Sequence, residues 1–350
     1  MSCYHPLRAF KIGINPETNK SIMIIESGEC ERIHAPKSII TSKEQYKLNN
    51  IYLDKWITEY QEVPCGRCIG CRLEYSRQWA TRCMLESEQY KENQFITLTY
   101  DNEHIPITNG VTDDGEIGYV GTLNPDDLQK FMKRLRIKYK RKFNHDNIRF
   151  YACGEYGEEH QRPHYHAIIF NLPIPDKKEW YINQKSHEKV YTSEILTKIW
   201  GKGIVGIGNV TWESAAYVAR YIMKKQKGQN AIEYYKKRGI HPEFVRMSRK
   251  PGIAAKYYED HKFEIYETDE IFIKRKNKVE KVKPSKYYDD KFDIEFPEEM
   301  KEIKSKRQEL AIKSMELNLT KTSLTKKEYM NLKERSKEEC IKKLLRTMHT

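Results

Sequence analysis

The spacing of hydrophobic positions predicts alternating strands and helices through the middle of the chain. Gln94–Tyr100, with the sequence QFITLTY, is rich in β-branched and aromatic residues and favours a strand. A helix is expected to begin at Asn124, because this N-cap side chain is followed by a proline and two acidic residues. Its apolar stripe falls at i, i+3, i+4 and i+7, on Leu128, Phe131, Met132 and Leu135.

The same reasoning predicts six further elements around these two. They are a helix at Glu74–Tyr90, strands at Asn147–Glu155 and His164–Leu172, a helix at Ser193–Trp200, a strand at Gly203–Val210 and a helix at Glu213–Lys225. The core order β-α-β-β-α-β, followed by a helix, is typical of an antiparallel sheet with helices packed on it. It indicates a ferredoxin-like α+β fold.

Composition divides the chain into three segments. Residues 1–90 contain six of the eight cysteines, residues 91–230 carry the strand and helix pattern, and residues 231–350 form a basic C-terminal extension. From about Ile271 the chain is rich in Lys, Glu and Ser and has few aliphatic residues. We therefore expect this tail to form solvated helices that add little core, partly disordered or docked on another surface.

Charge favours a polyanionic partner, because 63 Lys and Arg face 50 Asp and Glu, a net charge of +13. That partner could be nucleic acid or an acidic membrane surface, and the 24 tyrosines suit base stacking or ordinary packing. The N-terminal sequence MSCYHPLRAF has no signal-peptide pattern, and the apolar runs are too short to cross a bilayer. We therefore expect a cytoplasmic protein whose cysteines are reduced thiols or metal ligands.

Two histidines, His164 and His166, lie in RPHYHAIIF within a predicted strand. Side chains alternate along a strand, so both project from one face and could share a divalent cation. Glu155 ends the preceding strand, and antiparallel pairing would bring its carboxylate beside them. A carboxylate favours Mg²⁺ or Mn²⁺, although the set also suits catalytic zinc. The alternatives are packed or surface histidines and an exposed turn acid, with Glu158 and Glu159 as rival ligands.

Tyr217 and Tyr221 lie four positions apart in the predicted helix AAYVARYIMKK and therefore share a helix face. Phenol has a pKa near ~10, so a tyrosine nucleophile needs a nearby cation to stabilise the phenolate and the charge that develops on phosphorus. A metal held by the histidines is one such cation, and Lys224, one turn after Tyr221, is another. Taken alone, such a tyrosine pair is more often explained by core packing.

Cys65, Cys68 and Cys71 have C-x₂-C-x₂-C spacing with glycines between them, which is typical of thiolates that share a metal. We expect a structural zinc site in which Cys3 is the fourth ligand. Rivals for the fourth position are His5, Cys30 and Cys83. Iron–sulfur ligation fits the spacing, but no other feature indicates a redox role. The alternative is free thiols in a loop.

Basic residues cluster at two helix ends. They are Arg134, Arg136, Lys138, Lys140, Arg141 and Lys142 in the first core helix, and Lys224, Lys225 and Lys227 after the tyrosines. They indicate either solvated helix ends or contacts to DNA phosphates that position a strand without reading its sequence.

Together these motifs resemble the HUH endonucleases, and among them the replication initiators of microviruses, close to the gokushovirus-like branch of single-stranded DNA phages. The resemblance covers residues 1–262 and runs through VPCGRCIGCR, SRQWATRC, FITLTYDNEHIP, DLQKFMKRLR, YACGEYG, RPHYHAIIF, SAAYVARYIMKK and EFVRMSRKPGI. The specific part is RPHYHAIIF followed by a helix with two tyrosines.

The resemblance implies a rolling-circle replication initiator that nicks a single-stranded DNA origin in the host bacterial cytoplasm. One tyrosine would form a 5′-phosphotyrosine link and free a 3′-hydroxyl primer, and the second would help to close the circle. Host helicase or polymerase would be partners, and no membrane would be. Carried over to this chain, the metal ligands are His164, His166 and Glu155, and the catalytic residues are Tyr217, Tyr221 and Lys224.

Three other functions fit part of the pattern. One is a plasmid or transposon HUH nuclease, against which the tyrosine pair and the cysteine segment argue. Another is a zinc-containing nucleic-acid-binding module without catalysis, which would never become covalently linked to DNA. The third is a His₂Glu zinc hydrolase, which would need no tyrosine pair and would not explain the basic charge.

Overall fold

The computed structural model describes residues 3–14, 21–34, 38–40, 45–47, 56–112, 115–157, 161–184, 187–224, 229–275 and 278–349. The strands in this part of the chain are β1 (Leu7–Ile14), β2 (Ser21–Glu26), β3 (Ile33–His34), β4 (Ser38–Ile40), β5 (Gln45–Lys47), β6 (Trp56–Ile57), β7 (Gln61–Val63), β8 (Asn93–Tyr100), β9 (Ile107–Val111), β10 (Ile117–Gly121), β11 (Arg149–Tyr156), β12 (Pro163–Phe170), β13 (Lys178–Ile182), β14 (Lys189–Thr192), β15 (Gly203–Asn209), β16 (Phe244–Met247), β17 (Ile271–Arg275) and β18 (Lys278–Val282). The helices are α1 (Ile69–Ser87), α2 (Pro125–Phe143), α3 (Glu194–Trp200), α4 (Trp212–Lys224), α5 (Gln229–Arg238), α6 (Ala255–Thr268), α7 (Lys286–Glu295), α8 (Pro297–Leu319) and α9 (Lys326–His349).

The chain forms two compact units. The first comprises residues 1–74 and 309–345, and the second comprises residues 75–308 and 346–350. Among the described residues, no helix is both long enough and apolar enough to span a bilayer.

The second unit is built on a seven-stranded sheet of order β13-β14-β15-β8-β12-β11-β16. Every neighbouring pair of strands in this sheet is antiparallel. The prediction of an antiparallel sheet with packed helices is therefore confirmed. The predicted elements recur with shifted ends, and the largest shift is that of α1, which begins at Ile69 instead of Glu74.

Two hydrophobic clusters of the second unit separate the side chains of alternate strand positions. One cluster joins Ile96, Leu98, Tyr165 and Ala167 of the sheet to residues of α2 and α3. The other joins Tyr151, Cys153, Ile168 and Phe170 to residues of α1 and α4. Because successive strand residues point to opposite faces, helices cover the central strands on both sides.

The start of α2 follows the sequence prediction. The Asn124 side chain accepts a hydrogen bond from the backbone N–H of Asp126, and Pro125 lies in the first turn. The predicted apolar stripe is buried. Asn144, in the left-handed conformation, ends the helix.

The expectation that the chain after Ile271 adds little core is wrong for the part that reaches Met300. Five residues there are buried in the cluster that includes α1 and α4, namely Ile271, Ile273, Tyr288, Phe292 and Met300. Aromatic rings supply much of this core, for example Phe292 stacked on Tyr266 with 3.9 Å between centroids. The segment has few aliphatic residues but buries the large apolar ones that it has.

The first unit contains the three-stranded sheet β2-β1-β7, with a small core of Phe10, Ile12, Ile33 and Ile57. Residues of α9 make ion pairs with the N-terminal residues of the same unit. They are Glu334 with His5, Lys327 with Glu29, and Lys326 with Glu62. Sequence reasoning left open what the tail contacts, and within this unit it contacts the cysteine-containing segment.

Candidate active site

His164 and His166 lie near the beginning of β12 and project from the same face of the sheet. Glu155, near the end of β11, lies directly opposite His164 in the antiparallel pair. Directly opposed residues share a face, so Glu155 projects beside both histidines. The three side chains therefore lie together at one end of the sheet. The rival acids Glu158 and Glu159 lie outside the described residues.

The two histidines converge on one carboxylate oxygen. Nε2 of His164 is 2.7 Å from Oε1 of Glu155, and Nε2 of His166 is 3.0 Å from the same oxygen. The imidazole planes are 89° apart, with 4.8 Å between ring centroids. Only 2% of Glu155 and 5% of His166 are exposed, while His164 is half-buried. The three possible ligand atoms all lie within 4.8 Å of one another.

A neighbour holds the second nitrogen of each imidazole. Nδ1 of His164 is 3.0 Å from the carbonyl oxygen of Arg162, which can only accept, so Nδ1 carries the proton. In a neutral His164, the lone pair of Nε2 then faces a carboxylate, and two acceptors meet unless a proton or a metal ion lies between them. Nδ1 of His166 is 3.0 Å from Oγ1 of Thr97. This donor set fits a divalent cation, because the outer nitrogens are held and the inner ones converge.

The charge of Glu155 suits the same purpose. Burial raises the pKa of its carboxyl group, but hydrogen bonds from His164 and His166 outweigh burial and hold the pKa below its ordinary value. The carboxyl group is therefore ionised at neutral pH, as a metal ligand must be.

Helix α4 brings Tyr217 next to the histidines. Its ring lies edge-on to His166 with 5.1 Å between centroids, and edge-on to Phe95 with 6.3 Å. Phe95 in turn stacks on His166, with 5.6 Å between centroids and 10° between the planes. Packing between two aromatic rings thus fixes the orientation of His166.

The other two predicted catalytic residues belong to α4 by their backbone. Tyr221 lies about one turn along the helix from Tyr217, and Lys224 is its last residue. The side chains of Tyr221 and Lys224 lie outside the described residues, as do Lys225 and Lys227 entirely.

Four cysteines of the first unit form a second cluster: Cys3, Cys65, Cys68 and Cys71 have Sγ atoms within 4.8 Å of one another. Sγ of Cys3 is 3.9 Å from that of Cys68, and Sγ of Cys65 is 4.0 Å from that of Cys71. A tetrahedral zinc site with Zn–S bonds of ~2.3 Å has sulfur–sulfur edges of about 3.8 Å. The four thiols therefore fit a zinc ion.

The rivals of Cys3 lie elsewhere. His5 pairs with Glu334, and Sγ of Cys30 donates to the carbonyl oxygen of Arg32. Cys83 is buried in the hydrophobic cluster of the second unit. Among the four candidates, the structure brings Cys3 alone to the C-x₂-C-x₂-C loop.

Backbone N–H groups surround the sulfur atoms. Sγ of Cys65 accepts from the N–H groups of Arg67 and Cys68, at 3.5 and 3.3 Å, and Sγ of Cys3 accepts from Cys65 at 3.3 Å. Burial raises the pKa of Cys65, but the N–H groups of Cys68 and Arg67 lower it to about 7. Burial dominates at Cys3 and raises its pKa to about 11. The Cys65 thiol is therefore partly ionised at neutral pH, which favours metal binding.

Two of the basic residues predicted at the end of α2 bind backbone carbonyls. Arg134 donates to the carbonyl oxygens of Ile199 and Trp200, at the end of α3. Arg136 donates twice to the carbonyl oxygen of Ile148. These two arginines connect elements of the fold, whereas Lys140, Arg141 and Lys142 are exposed.

Sequence reasoning missed the residues that orient the histidines. Thr97 and Phe95 lie on β8, two residues apart, and Thr97 is directly opposite His166. The alternation of FITLTY could have placed them on one face, but only the pairing of β8 with β12 shows which residues that face meets.

Comparison with known proteins agrees on one family. The profile of a family described as replication-associated protein ORF2 matches residues 93–226. Replication-associated protein ORF2 of Spiroplasma virus 4 is 33% identical over 309 residues, which are 87% of this chain and 90% of that protein. Replication-associated protein VP4 of Bdellovibrio phage phiMH2K is 34% identical over 257 residues, 73% of this chain and 74% of that protein. Replication-associated protein ORF4 of Chlamydia phage 1 is 32% identical over 166 residues, 47% of this chain and 38% of that protein. No solved structure matches the chain.

Proposed function

The chain belongs to the family of microvirus-type replication initiators of small single-stranded DNA phages, and we propose that it starts rolling-circle replication by nicking a single-stranded DNA origin. The nick is a metal-dependent transesterification to a tyrosine. The observation that carries this proposal is the convergence of Glu155, His164 and His166 beside Tyr217.

His164, His166 and Glu155 would hold Mg²⁺ or Mn²⁺ through two nitrogens and one oxygen. A bound divalent cation polarises a phosphate oxygen and stabilises the negative charge that develops on it. The half-buried His164 leaves one side of the cluster accessible, as a DNA phosphate requires. Thr97 and the carbonyl oxygen of Arg162 fix the outer nitrogens and keep both rings in position.

In the nicking step, the tyrosine phenol loses its proton and its oxygen forms a bond to phosphorus. The bond from phosphorus to the 3′-oxygen breaks, and that oxygen takes up a proton to become a free 3′-hydroxyl. Tyr217 and Tyr221 are the proposed nucleophiles, and Lys224 stabilises the phenolate. The 5′-phosphotyrosine bond conserves the energy of the phosphodiester.

Two tyrosines on one helix allow a second exchange at the same phosphate-binding site. After one round of synthesis, the second tyrosine cuts the regenerated origin and releases a new 3′-hydroxyl. That hydroxyl attacks the first phosphotyrosine, the phosphorus–tyrosine bond breaks, and the displaced strand closes into a circle without ATP. Spacing at i and i+4 lets both phenols reach one site.

The strand order supports an HUH core of the ferredoxin-like type. Within the seven-stranded sheet, β15, β8, β12 and β11 are adjacent and antiparallel. Numbered along the core as β8, β11, β12 and β15, they have the order 4-1-3-2, which the β-α-β-β-α-β pattern produces.

We assign a structural role to the cysteine cluster, with zinc bound by Cys3, Cys65, Cys68 and Cys71. In this assignment, residues 1–90 form a zinc-stapled segment, residues 91–230 the nuclease core, and residues 231–350 a basic extension. The exposed Lys140, Arg141 and Lys142 contact DNA phosphates. A host polymerase must extend the 3′-hydroxyl, and a host helicase must open the duplex, so both are proposed partners in the host cytoplasm.

A covalent-adduct assay tests the proposal. Purified protein, Mn²⁺ or Mg²⁺, and end-labelled single-stranded oligonucleotides that tile the cognate phage genome are mixed, and label that survives SDS is measured. We expect a metal-dependent adduct at one genomic position, abolished by EDTA, by His164→Ala and by the double change Tyr217→Phe with Tyr221→Phe.

Tyr234→Phe is the matched control, because Tyr234 is an exposed tyrosine on the neighbouring helix α5. It should retain the adduct in full. If a folded, metal-loaded protein gave no adduct across the whole genome, the chain would be a non-catalytic zinc-containing binding module. An adduct that survives the double tyrosine change would contradict the assignment of the nucleophiles.

A further inference from the structure

The hairpin of β9 and β10 is anchored at the end of the sheet that carries Glu155 and His164. A side chain at Gly121, the last residue of β10, would lie 3.1 Å from the ring of Pro163, which precedes His164. The hydroxyl of Tyr156, which follows Glu155, accepts the backbone N–H of Leu123 at 3.0 Å. Both strands of the candidate metal centre therefore hold the base of the hairpin.

Helix α5 supports one side of the hairpin by backbone contact. A Cβ atom at Gly110 would meet the carbonyl oxygen of Arg238 at 1.9 Å, and a Cβ atom at Gly239 would meet that of Asn109 at 2.2 Å. Only glycine permits these approaches, and Gly239 also has a φ of +65°. The hairpin is therefore held at its base and along one side.

The hairpin also presents large apolar side chains to solvent. Tyr119 pairs with Asn109, Ile117 with Val111, and Gly121 with Ile107. Directly opposed residues share a face, so Ile107, Ile117 and Tyr119 lie on one surface. They are 61%, 90% and 77% exposed, respectively. Three such residues on a single small hairpin are an unusual surface for solvent alone and mark an interaction site.

We propose that this surface binds single-stranded DNA next to the scissile phosphate, and that a base stacks on Tyr119. The inference rests on the proposed function, since a strand that enters the metal centre must continue past this end of the sheet. Charge favours DNA over a protein partner, because the end of α5 beside the hairpin carries the exposed Lys236 and Lys237, with Arg238 next to them.

The chemistry of the surface suits an unpaired base. A tyrosine ring offers a π-face to any base, and the flanking isoleucines exclude water from the rim of the stack. Because the backbone contacts with α5 and Pro163 hold the hairpin, little order has to be gained when DNA binds. Tyr119 would thus position the strand and would take no part in the chemistry.

The test is equilibrium binding of the full chain to a fluorescent single-stranded oligonucleotide in EDTA, where no nicking occurs. We expect Tyr119→Ala to weaken binding about 5- to 150-fold, the range for one stacked base. Tyr119→Trp should retain binding. Tyr181→Ala is the matched control, because Tyr181 is also exposed on an edge hairpin of the same unit. An oligonucleotide with 5-iodouracil should crosslink, under ultraviolet light, to the peptide that contains Tyr119.

Each outcome decides the proposal. If Tyr119→Ala binds DNA as the unchanged protein does, or if the crosslink maps elsewhere, the hairpin is not a DNA site and its apolar face remains for a protein partner. If Tyr119→Ala and Tyr181→Ala weaken binding equally, stacking at this position is also refuted. Because binding is measured without metal, a failure of the covalent-adduct assay would leave this result unaffected.

Discussion

The Tyr217 ring lies edge-on to the His166 imidazole, with 5.1 Å between the two centroids and 78° between their planes. The two residues are 51 positions apart in sequence, on α4 and β12, and packing of α4 on the sheet brings them together. A phenol is thus held next to a residue whose second nitrogen faces Glu155. This relationship joins the candidate nucleophile to the candidate metal ligands.

The single tyrosine variants should differ from the double variant. Tyr217→Phe removes the hydroxyl but keeps the ring that packs on His166 and Phe95, so we expect unchanged thermal stability. The covalent adduct should persist on Tyr221, with loss of strand circularisation, because that reaction needs both phenols. Peptide mapping of the adduct by mass spectrometry and a circularisation assay check this. Full circularisation by Tyr217→Phe would exclude Tyr217 as a nucleophile.

Thr97→Val should weaken metal binding. The change removes the hydroxyl that holds Nδ1 of His166 at 3.0 Å, and loss of such an outer partner typically weakens a metal site about 10- to 100-fold. Titration calorimetry with Mn²⁺ measures the affinity. Thr99→Val, the same change two residues along β8, is the control and should have a smaller effect. Equal affinities for the unchanged protein and Thr97→Val would show that the hydroxyl does not support the site.

Cys68→Ser should reduce bound zinc. Elemental analysis of the purified protein should find about one zinc per chain, and the variant should lose it during dialysis against a chelator, because three thiolates bind zinc more weakly than four. The first compact unit should then become sensitive to protease, since binding energy at such sites stabilises the fold. Cys30→Ser, whose thiol bonds to the carbonyl oxygen of Arg32, should keep its zinc. Zinc-free protein with a protease-resistant N-terminal unit would contradict the assignment.

The ion pairs of Arg307 should make stability depend on pH. Arg307 donates to both carboxyl oxygens of Asp269 and to those of Asp289. Burial raises the pKa of Asp269, but hydrogen bonds from Arg307 and Lys283 outweigh it and lower the pKa below its ordinary value. Because the pKa is lower in the folded chain, the stabilisation is complete above the unfolded pKa of ~3.9 and is lost as pH falls through the folded value.

Asp269→Asn should therefore lower the free energy of unfolding at pH 7 by about 1.5–3 kcal/mol, the range for hydrogen bonds to charged groups. The difference from the unchanged protein should shrink when the pH falls below ~3.9. Denaturant titrations at a series of pH values measure both quantities. Asp290→Asn, which removes an exposed i, i+4 pair with Lys286, should cost about 0.3–0.5 kcal/mol. A pH-independent difference would show that the charge of Asp269 is not responsible.

Local patterns predicted the core elements well where one residue type dominates a local preference. Asn124 and Pro125 start α2 because capping and proline geometry act within a single turn. The hairpin of β9 and β10 was missed, since its sequence ITNGV–IGYVG has glycines in both strands and its apolar side chains face solvent. Its partner surface is formed by α5, which no local pattern could have indicated.

The tail shows the same limit in another form. Its charged composition indicated solvated helices, yet Tyr288 and Phe292 are buried against residues that precede them by more than one helix. A few aromatic rings bury enough area to secure a segment that is otherwise polar. Composition averages over these positions and therefore hides them.

The local chemistry of this protein could be predicted from the chain alone: a strand with two histidines on one face, a helix with two tyrosines, a loop of three close thiols, and a capped α2. Each of these depends on spacings of six residues or fewer, where backbone periodicity decides which side chains meet. The folded chain was needed to show that Cys3 joins the loop, that Thr97 and Phe95 hold His166, and that Tyr217 lies beside it. Those contacts join residues far apart in the chain, and strand register and helix packing create them.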